Sequence, residues 1–111
     1  MIELLTADTP NGKKISIMLE EIKFDYKVTK INIFKDEQFN SDFKKLSPFS
    51  KIPIIIDHDK KVSLFESGAI LIYLGEKSEK FYDKNHRTII NQWLMGQMAY
   101  IGPMLGQHHQ F

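Results

Sequence analysis

Two short polar segments of the sequence stand where helices are predicted to begin. Thr9 precedes Pro10 at the first, and Glu66 and Ser67 form the second. A helix N-terminus carries unpaired N–H groups and a partial positive charge, which suit a carboxylate ligand. Ser67 adds a hydroxyl donor, and Glu66 offers an anion to an ammonium group. The alternative is structural, with Thr9 and Ser67 as helix caps and Glu66 as a solvated side chain.

The chain contains no cysteine, which limits the chemistry that it can perform alone. Disulfides, thiolate zinc sites, iron–sulfur clusters and redox chemistry on the protein's own sulfur are all excluded. His58 falls in a predicted turn, His86 in a linker, and His108 and His109 are neighbours that point apart on any regular element. No further ligand lies at a fixed spacing from them, so the sequence predicts no metal site.

The composition is that of a soluble globular domain. The 111 residues are 42% hydrophobic and 26% charged, with a net charge of +1, which allows one domain or one domain plus an appendage. Fourteen of the fifteen basic residues are lysine, and bidentate nucleic-acid contacts prefer arginine. No apolar segment approaches the roughly 20 residues that span a bilayer, and the N-terminus does not look like a signal peptide. We therefore expect a cytoplasmic protein without nucleic-acid or membrane partners.

Hydrophobic spacing predicts a strand, a helix and a second strand in the first third of the chain. Ile2–Thr6 is a short apolar run typical of a buried strand. Thr9 can cap a helix over Pro10–Ile22, because proline suits the first helical position. Alternation over Tyr26–Ile33 predicts the next strand. This βαβ order predicts that the two strands are parallel.

The remaining sequence predicts a short helix, a hairpin and two longer helices. The short helix covers 41–46, and the hairpin pairs 54–56 with 62–65 around a tight turn. A helix from Glu66 to about Lys77 is apolar on several faces and should be buried on more than one side. The last helix begins near Arg87, and Gly102-Pro103 should break or kink it. One apolar stripe is expected along it, formed by Ile90, Trp93, Leu94, Met98 and Ile101.

The order of elements predicts an α/β fold with a thioredoxin-like arrangement, βαβ-α-ββα, over residues 1–80. This arrangement is a four-stranded mixed sheet with helices on both faces. Residues 81–111 form a linker and one extra C-terminal helix outside that unit. A thioredoxin-type sheet normally works through a cysteine where the first helix starts, and Thr9-Pro10-Asn11-Gly12 stands there instead. Any thiol chemistry would therefore need a thiol from a bound molecule.

Several motifs together identify which molecule that would be. They are Thr9-Pro10-Asn11-Gly12, Glu37-Gln38-Phe39, Lys51-Ile52-Pro53, Phe65-Glu66-Ser67-Gly68-Ala69-Ile70, Gln92-Trp93-Leu94 and Gly102-Pro103-Met104-Leu105-Gly106-Gln107. In this order they resemble the glutathione transferases, and among them the nu-class bacterial glutathione-dependent disulfide-bond oxidoreductases. The resemblance implies glutathione as the bound substrate or cofactor, without a metal.

The resemblance also implies a role for each matching residue. Glu66 and Ser67 would bind the γ-glutamyl end of glutathione. The Ile52–Pro53 peptide bond would be cis, which leaves the Ile52 backbone to pair with the cysteinyl unit as in strand addition. The alternative for Pro53 is an ordinary proline at the start of a strand.

Four other positions match the family's glutathione contacts. Gln38 would contact the glycine end, and Lys51 is a weaker candidate for the same carboxylate. Thr9 and Asn11 would face the glutathione sulfur. Donors aimed at the sulfur favour the thiolate, which is the form that attacks a disulfide.

A full-length glutathione transferase continues for about as many residues again as an all-helical domain. Only the first helix of that domain matches here, so the resemblance implies a truncated form. Two functional classes stay open, namely a glutathione-dependent enzyme and a non-catalytic glutathione-binding or interaction module. We expect self-association, most simply as a dimer, through the helix over residues 87–105, because its apolar stripe would otherwise lack a partner.

Overall fold

A four-stranded mixed sheet forms the centre of the molecule. The computed structural model describes residues 1–32 and 35–110, apart from the side chains of residues 38 and 107–110. The strands are β1 (Ile2–Thr6), β2 (Tyr26–Lys30), β3 (Ile54–Asp57) and β4 (Val62–Phe65). Their order is β2-β1-β3-β4, with β2 parallel to β1 and the other neighbours antiparallel. The predicted thioredoxin-like fold is confirmed.

Five α-helices accompany the sheet in the described part of the chain. They are α1 (Pro10–Ile22), α2 (Ser41–Leu46), α3 (Ser67–Ser78), α4 (Arg87–Gly96) and α5 (Gly102–Gln110), and single 3₁₀ turns cover Glu37–Phe39 and Lys84–His86. Thr9 caps α1 as predicted, because its Oγ1 accepts a 3.2 Å hydrogen bond from the Gly12 N–H. Among the described residues, no helix is long and apolar enough to cross a membrane.

Strand β2 is shorter than the predicted Tyr26–Ile33. Its pairing with β1 ends at Lys30 opposite Thr6, and the Ile31 N–H donates one more bond to the Thr6 carbonyl at 2.8 Å. The polar–apolar alternation continues beyond Lys30, but β1 ends at Thr6 and has no further residue to pair with. The alternation therefore overestimates the length of β2. Ile33 lies outside the described residues.

Apolar side chains cover both faces of the sheet. On one face, Leu4 and Ile55 pack in a cluster with Ile15 and Leu19 of α1 and with Ile70 of α3. On the other face, Leu5 and Ile54 pack with Phe43 of α2. Neighbouring residues of β1 and β3 thus point to opposite faces, as strand geometry requires. The sheet is therefore a rigid platform between helices, and the ends of its strands can position a site.

A buried carboxylate fixes the C-terminal end of α3 to the β3–β4 turn. The Asp57 side chain is fully buried, and Oδ2 accepts hydrogen bonds from Tyr73 Oη at 2.5 Å and from Lys77 Nζ. Oδ1 accepts weaker bonds from the backbone of Asp59 and Lys60. Burial alone would raise the pKa of Asp57, but the bonds from Lys77 and Tyr73 outweigh it and lower that pKa to about 2. Burial and the Asp57 bond together raise the pKa of Tyr73 to about 12.

The C-terminal helices differ from the expected single apolar stripe. Ile90, Leu94 and Met98 are half-buried, whereas Trp93 is 70% exposed and Ile101 is 51% exposed. The stripe is split because Ile90 and Leu94 line a hollow with Leu71 and Ile72 of α3, whereas Trp93 stays open to solvent. The same packing confirms that α3 is buried on more than one side.

The helix is not broken at Gly102-Pro103, which corrects the expected position of the irregularity. The chain forms a π-helical turn over Gln97–Ile101 and resumes α-helical geometry at Gly102. Pro103 has no N–H for a helical hydrogen bond, so the departure from α geometry falls in the turn before it. Within this π turn, Gln97 contacts Lys14 of α1 and Met98 contacts Ser67 at the start of α3.

Candidate functional site

A cleft of about 130 Å³ is bounded by the start of α1, the loop before β3 and the junction between β4 and α3. Six of the predicted site residues line it, namely Asn11, Lys51, Ile52, Pro53, Glu66 and Ser67, together with Ser47, Phe49 and Phe65. Their sequence positions are spread over 57 residues, and the sheet brings them to one edge. The grouping predicted from the motifs is thus present in the fold.

The junction of β4 and α3 presents a free carboxylate beside an uncapped helix start. Glu66 holds the N-cap position with φ 73° and ψ 114°, and its side chain makes no capping bond. This side chain is exposed and has neither a hydrogen bond nor an ion pair with any described residue. A non-glycine residue in this region of φ and ψ is strained and persists where its surroundings fix it, often at ligand sites. Glu66 is therefore not a structural cap.

Ser67 is the first residue of α3, so it is not the cap that the structural alternative required. It is 7% exposed, and its hydroxyl donates to Met98 Sδ at 3.6 Å instead of serving the helix backbone. The first N–H groups of α3 therefore lack a side-chain acceptor where Ser67 lines the cleft, which leaves them available to an anion.

The loop before β3 presents the backbone of Ile52. The Ile52–Pro53 peptide bond is cis, as the family resemblance implied. Buried Ser47 holds the loop, because its Oγ donates to the Lys51 carbonyl at 2.8 Å and accepts from the Lys51 N–H at 3.0 Å. Within the described chain, neither the N–H nor the carbonyl of Ile52 has a hydrogen-bond partner. The loop thus offers one donor and one acceptor at an open edge.

The start of α1 brings polar groups to the other side of the cleft. The exposed Asn11 side chain lines the cleft and has no hydrogen bond to a described residue. Thr9, also predicted as a site residue, does not line the cleft. It is half-buried, and its oxygen already caps α1, although its O–H remains a donor. A Cβ at Gly12 would lie 2.7 Å from the Ala7 carbonyl, so only glycine lets α1 start this close to the end of β1.

Two of the predicted residues, Gln38 and Lys51, were assigned to the carboxylate at the glycine end of the ligand. The backbone of Gln38 lies in the 3₁₀ turn, but its side chain is outside the described part of the structure. Lys51 lines the cleft with its side chain exposed and forms no ion pair with the described residues. The assignment of both to a carboxylate stays a prediction.

Three residues of the cleft were not predicted as site residues, although one of them, Phe65, lies within one of the motifs. Ser47 is the internal support of the loop, and Phe49 and Phe65 form an edge-to-face pair with ring centroids 6.0 Å apart. Phe49 is 66% exposed and Phe65 is 37% exposed, so the pair is an apolar wall open to solvent. The sequence signal for Ser47 was the Ser-Pro step after α2, which marks a turn without identifying the bonding partner.

The histidines whose side chains are described lie within hydrogen-bond distance of carboxylates away from the cleft. His58 Nε2 lies 2.8 Å from Glu3 Oε1, and His86 Nδ1 lies 2.7 Å from Asp83 Oδ2. Among the described side chains, which do not include those of His108 and His109, no group of three or more His, Asp or Glu residues is arranged to hold a metal ion.

Comparisons with known proteins agree with the geometry. The sequence model of the glutathione S-transferase N-terminal domain matches residues 3–76. The disulfide-bond oxidoreductase YfcG of Escherichia coli is 47% identical over 118 aligned positions, which cover 100% of this chain and 55% of that protein. A second Escherichia coli disulfide-bond oxidoreductase, YghU, is 36% identical, with 99% and 43% covered.

Solved structures show the same relationship. A glutathione transferase from Pseudomonas putida, solved with one glutathione disulfide per subunit, has a TM-score of 0.89 and 46% identity. The alignment covers 96% of this chain and 49% of that one. The chain thus spans about half the length of the relatives that it matches. From the matched domain and the shared fold, the chain belongs to the glutathione S-transferase family, and its residues 3–76 correspond to the N-terminal domain of that family.

Proposed function

We propose that this chain binds glutathione in the cleft between α1, the loop before β3 and the start of α3. One observation carries the proposal: polar groups with no internal partner, or in the case of Ser67 only a weak one, converge there, and their chemistry matches the ends of a tripeptide. The Glu66 carboxylate suits an ammonium group, and the start of α3 with Ser67 suits the adjacent carboxylate. Between them, the Ile52 N–H and carbonyl suit a peptide backbone. Relatives solved with glutathione or glutathione disulfide support the same ligand.

We further propose that bound glutathione serves in disulfide reduction, as the names of the oxidoreductase relatives suggest. Glutathione supplies the thiol that this cysteine-free chain lacks. The Asn11 amide and the Thr9 hydroxyl can donate to its sulfur, and the N-terminus of α1 adds a partial positive charge. Each of these favours the thiolate over the thiol and so lowers the pKa of the sulfur.

Substitutions of Asn11 and Thr9 test this role. In a steady-state assay of glutathione-dependent disulfide reduction, Asn11→Ala should lower the rate roughly 10-fold, because a hydrogen bond to a charged group is lost. Thr9→Ala should lower the rate less, but it should also lower the free energy of unfolding by about 1 kcal/mol because it removes the cap of α1. Urea unfolding measures the second effect.

Thr9→Ser is the matched control, since serine keeps both the cap and the hydroxyl. Full activity of Asn11→Ala and Thr9→Ala would mean that the sulfur is activated elsewhere. Glutathione binding without turnover by the wild type would leave the alternative function, a non-catalytic glutathione-binding module.

The exposed side of the C-terminal helices supports a proposal of self-association. Trp93, Tyr100, Met104 and Leu105 are each between 64% and 73% exposed, and they recur along α4, the π turn and α5. Monomers rarely leave a contiguous apolar surface of this kind bare. A second copy of the chain can cover it across a two-fold axis, because each copy presents the same surface.

Trp93→Glu should dissociate this assembly. Sedimentation of the wild type at micromolar concentration should show a dimer or larger species, and Trp93→Glu should sediment as a monomer or become insoluble. Gln92→Glu is the control, because it introduces the same charge at the neighbouring exposed position. If the wild type remains a 13.0 kDa monomer at high concentration, the proposal is wrong.

A further inference from the structure

The π turn places Met98 directly on the start of α3. Met98 Sδ accepts the Ser67 hydroxyl at 3.6 Å, and Cγ and Sδ of Met98 would lie 3.3 and 3.5 Å from a Cβ at Gly68. Gln97, the preceding residue, accepts a 2.9 Å hydrogen bond from Lys14 Nζ of α1. Two consecutive residues of the turn thus contact both helices that begin at the cleft. Single π turns inside α-helices often occur at functional sites.

The Ser67 hydroxyl can donate one hydrogen bond, and two acceptors compete for it. They are Met98 Sδ in the free protein and a ligand carboxylate in the complex. Because Ser67 is 7% exposed, its hydroxyl needs a partner when no ligand is bound. A thioether sulfur meets that need only as a weak acceptor. A ligand carboxylate accepts a charge-assisted hydrogen bond, which is about twice as strong as a neutral one. The hydroxyl can therefore exchange its hydrogen bond to the sulfur for one to the carboxylate at a small cost in free energy.

We propose that Met98 is a positioning residue that sets the affinity of Ser67 for the α-carboxylate of the γ-glutamyl unit. This inference rests on the proposed function and deepens it. Met98 satisfies the buried hydroxyl in the free protein, orients it at the start of α3 and releases it to the ligand. A stronger acceptor at position 98 would retain the hydroxyl, and an apolar side chain would leave it free. The Gln97–Lys14 bond holds the turn in the register that this contact requires.

Two substitutions of similar volume separate acceptor strength from packing. Met98→Gln supplies an amide oxygen, and Met98→Leu removes the acceptor while keeping the apolar volume. Calorimetric titration with reduced glutathione should show a Kd raised roughly 3- to 10-fold for Met98→Gln, the range of one neutral hydrogen bond. Met98→Leu should bind as tightly as the wild type or tighter. Met95→Gln, at an exposed position of α4, controls for the amide itself and should not change the Kd.

The Ser67→Ala background shows whether Met98 acts through the hydroxyl. There the difference in Kd between Met98→Gln and Met98→Leu should disappear, and thermal unfolding of each variant reports on packing separately. A difference that persists without the hydroxyl, or equal affinities of the two variants with Ser67 present, would overturn the role of Met98. Absence of glutathione binding by the wild type would instead overturn the proposed function.

Discussion

Asp57→Ala is expected to lower the free energy of unfolding by about 3 kcal/mol, a large part of the 5–15 kcal/mol typical of a domain. The substitution removes the shared acceptor of Tyr73 and Lys77. Loss of one partner from a buried ion pair typically costs about 3–5 kcal/mol. Because the Lys77 side chain is 28% exposed and can reach water, the lower value is expected. Urea unfolding followed by circular dichroism measures the change.

Asp59→Ala is the matched control in the same turn. Its carboxylate is exposed and pairs with the N-terminal ammonium group, so its removal should matter little. The pH dependence is a second readout of the same effect. The folded-state pKa of Asp57 is about 2, below its ordinary value of 3.8, so the unfolded chain binds more protons between these values. The stabilisation from Asp57 is complete above about pH 4 and is lost as the pH falls towards 2.

Asp57→Asn should therefore reduce the rise in stability with pH across that window. An unchanged slope, or an Asp57→Ala variant as stable as Asp59→Ala, would show that the Asp57 hydrogen bonds add little to the folded state.

Glu66→Ala is expected to weaken glutathione binding by about 1.5–3 kcal/mol, or roughly a 10- to 150-fold rise in Kd. The variant removes the only acidic side chain among the described residues that line the cleft, and the proposed function pairs it with the ligand's ammonium group. Alanine is the informative substitute because it keeps a Cβ at φ 73°, whereas glycine would also relieve the backbone strain. Isothermal titration calorimetry with reduced glutathione measures the change.

Glu76→Ala is the control for Glu66, because Glu76 is an exposed glutamate of the same helix outside the cleft. It should bind as the wild type does. Equal affinities of Glu66→Ala and the wild type would contradict the placement of the ammonium group.

The sequence predicted most accurately the elements whose ends are determined locally. Helix α1 begins at Pro10 because Thr9 and Pro10 are strong N-terminal signals, and its apolar spacing continues to Ile22. The hairpin of β3 and β4 follows from two short apolar runs around a polar turn. Strand β2 was predicted too long, because alternation describes the strand alone and not the length of its partner β1.

The sequence predicted most of the residues that line the cleft, but it did not predict their conformations or contacts. The motifs led to Asn11, Ile52, Glu66 and Ser67, since the family resemblance depends on them. The positive φ of Glu66 has no signal in the residue type, because it is imposed by the junction between β4 and α3. The contact of Ser67 with Met98 joins residues 31 apart and depends on a π turn that periodicity does not reveal. Likewise, the apolar stripe on the last helix did not show that Trp93 would stay exposed while Ile90 and Leu94 are half-buried.

The central place of β1 in the sheet has a consequence for the order in which the chain can fold. Both of its partners follow it in the sequence, with β2 about 25 residues away on one side of β1 and β3 about 50 residues away on the other. Contacts of such long range require the closure of large loops before they contribute stability, which slows folding. Until β3 is available, a chain that has formed the first βαβ unit exposes one edge of β1, which can pair with another chain. Association during synthesis or refolding is therefore a hazard for this domain.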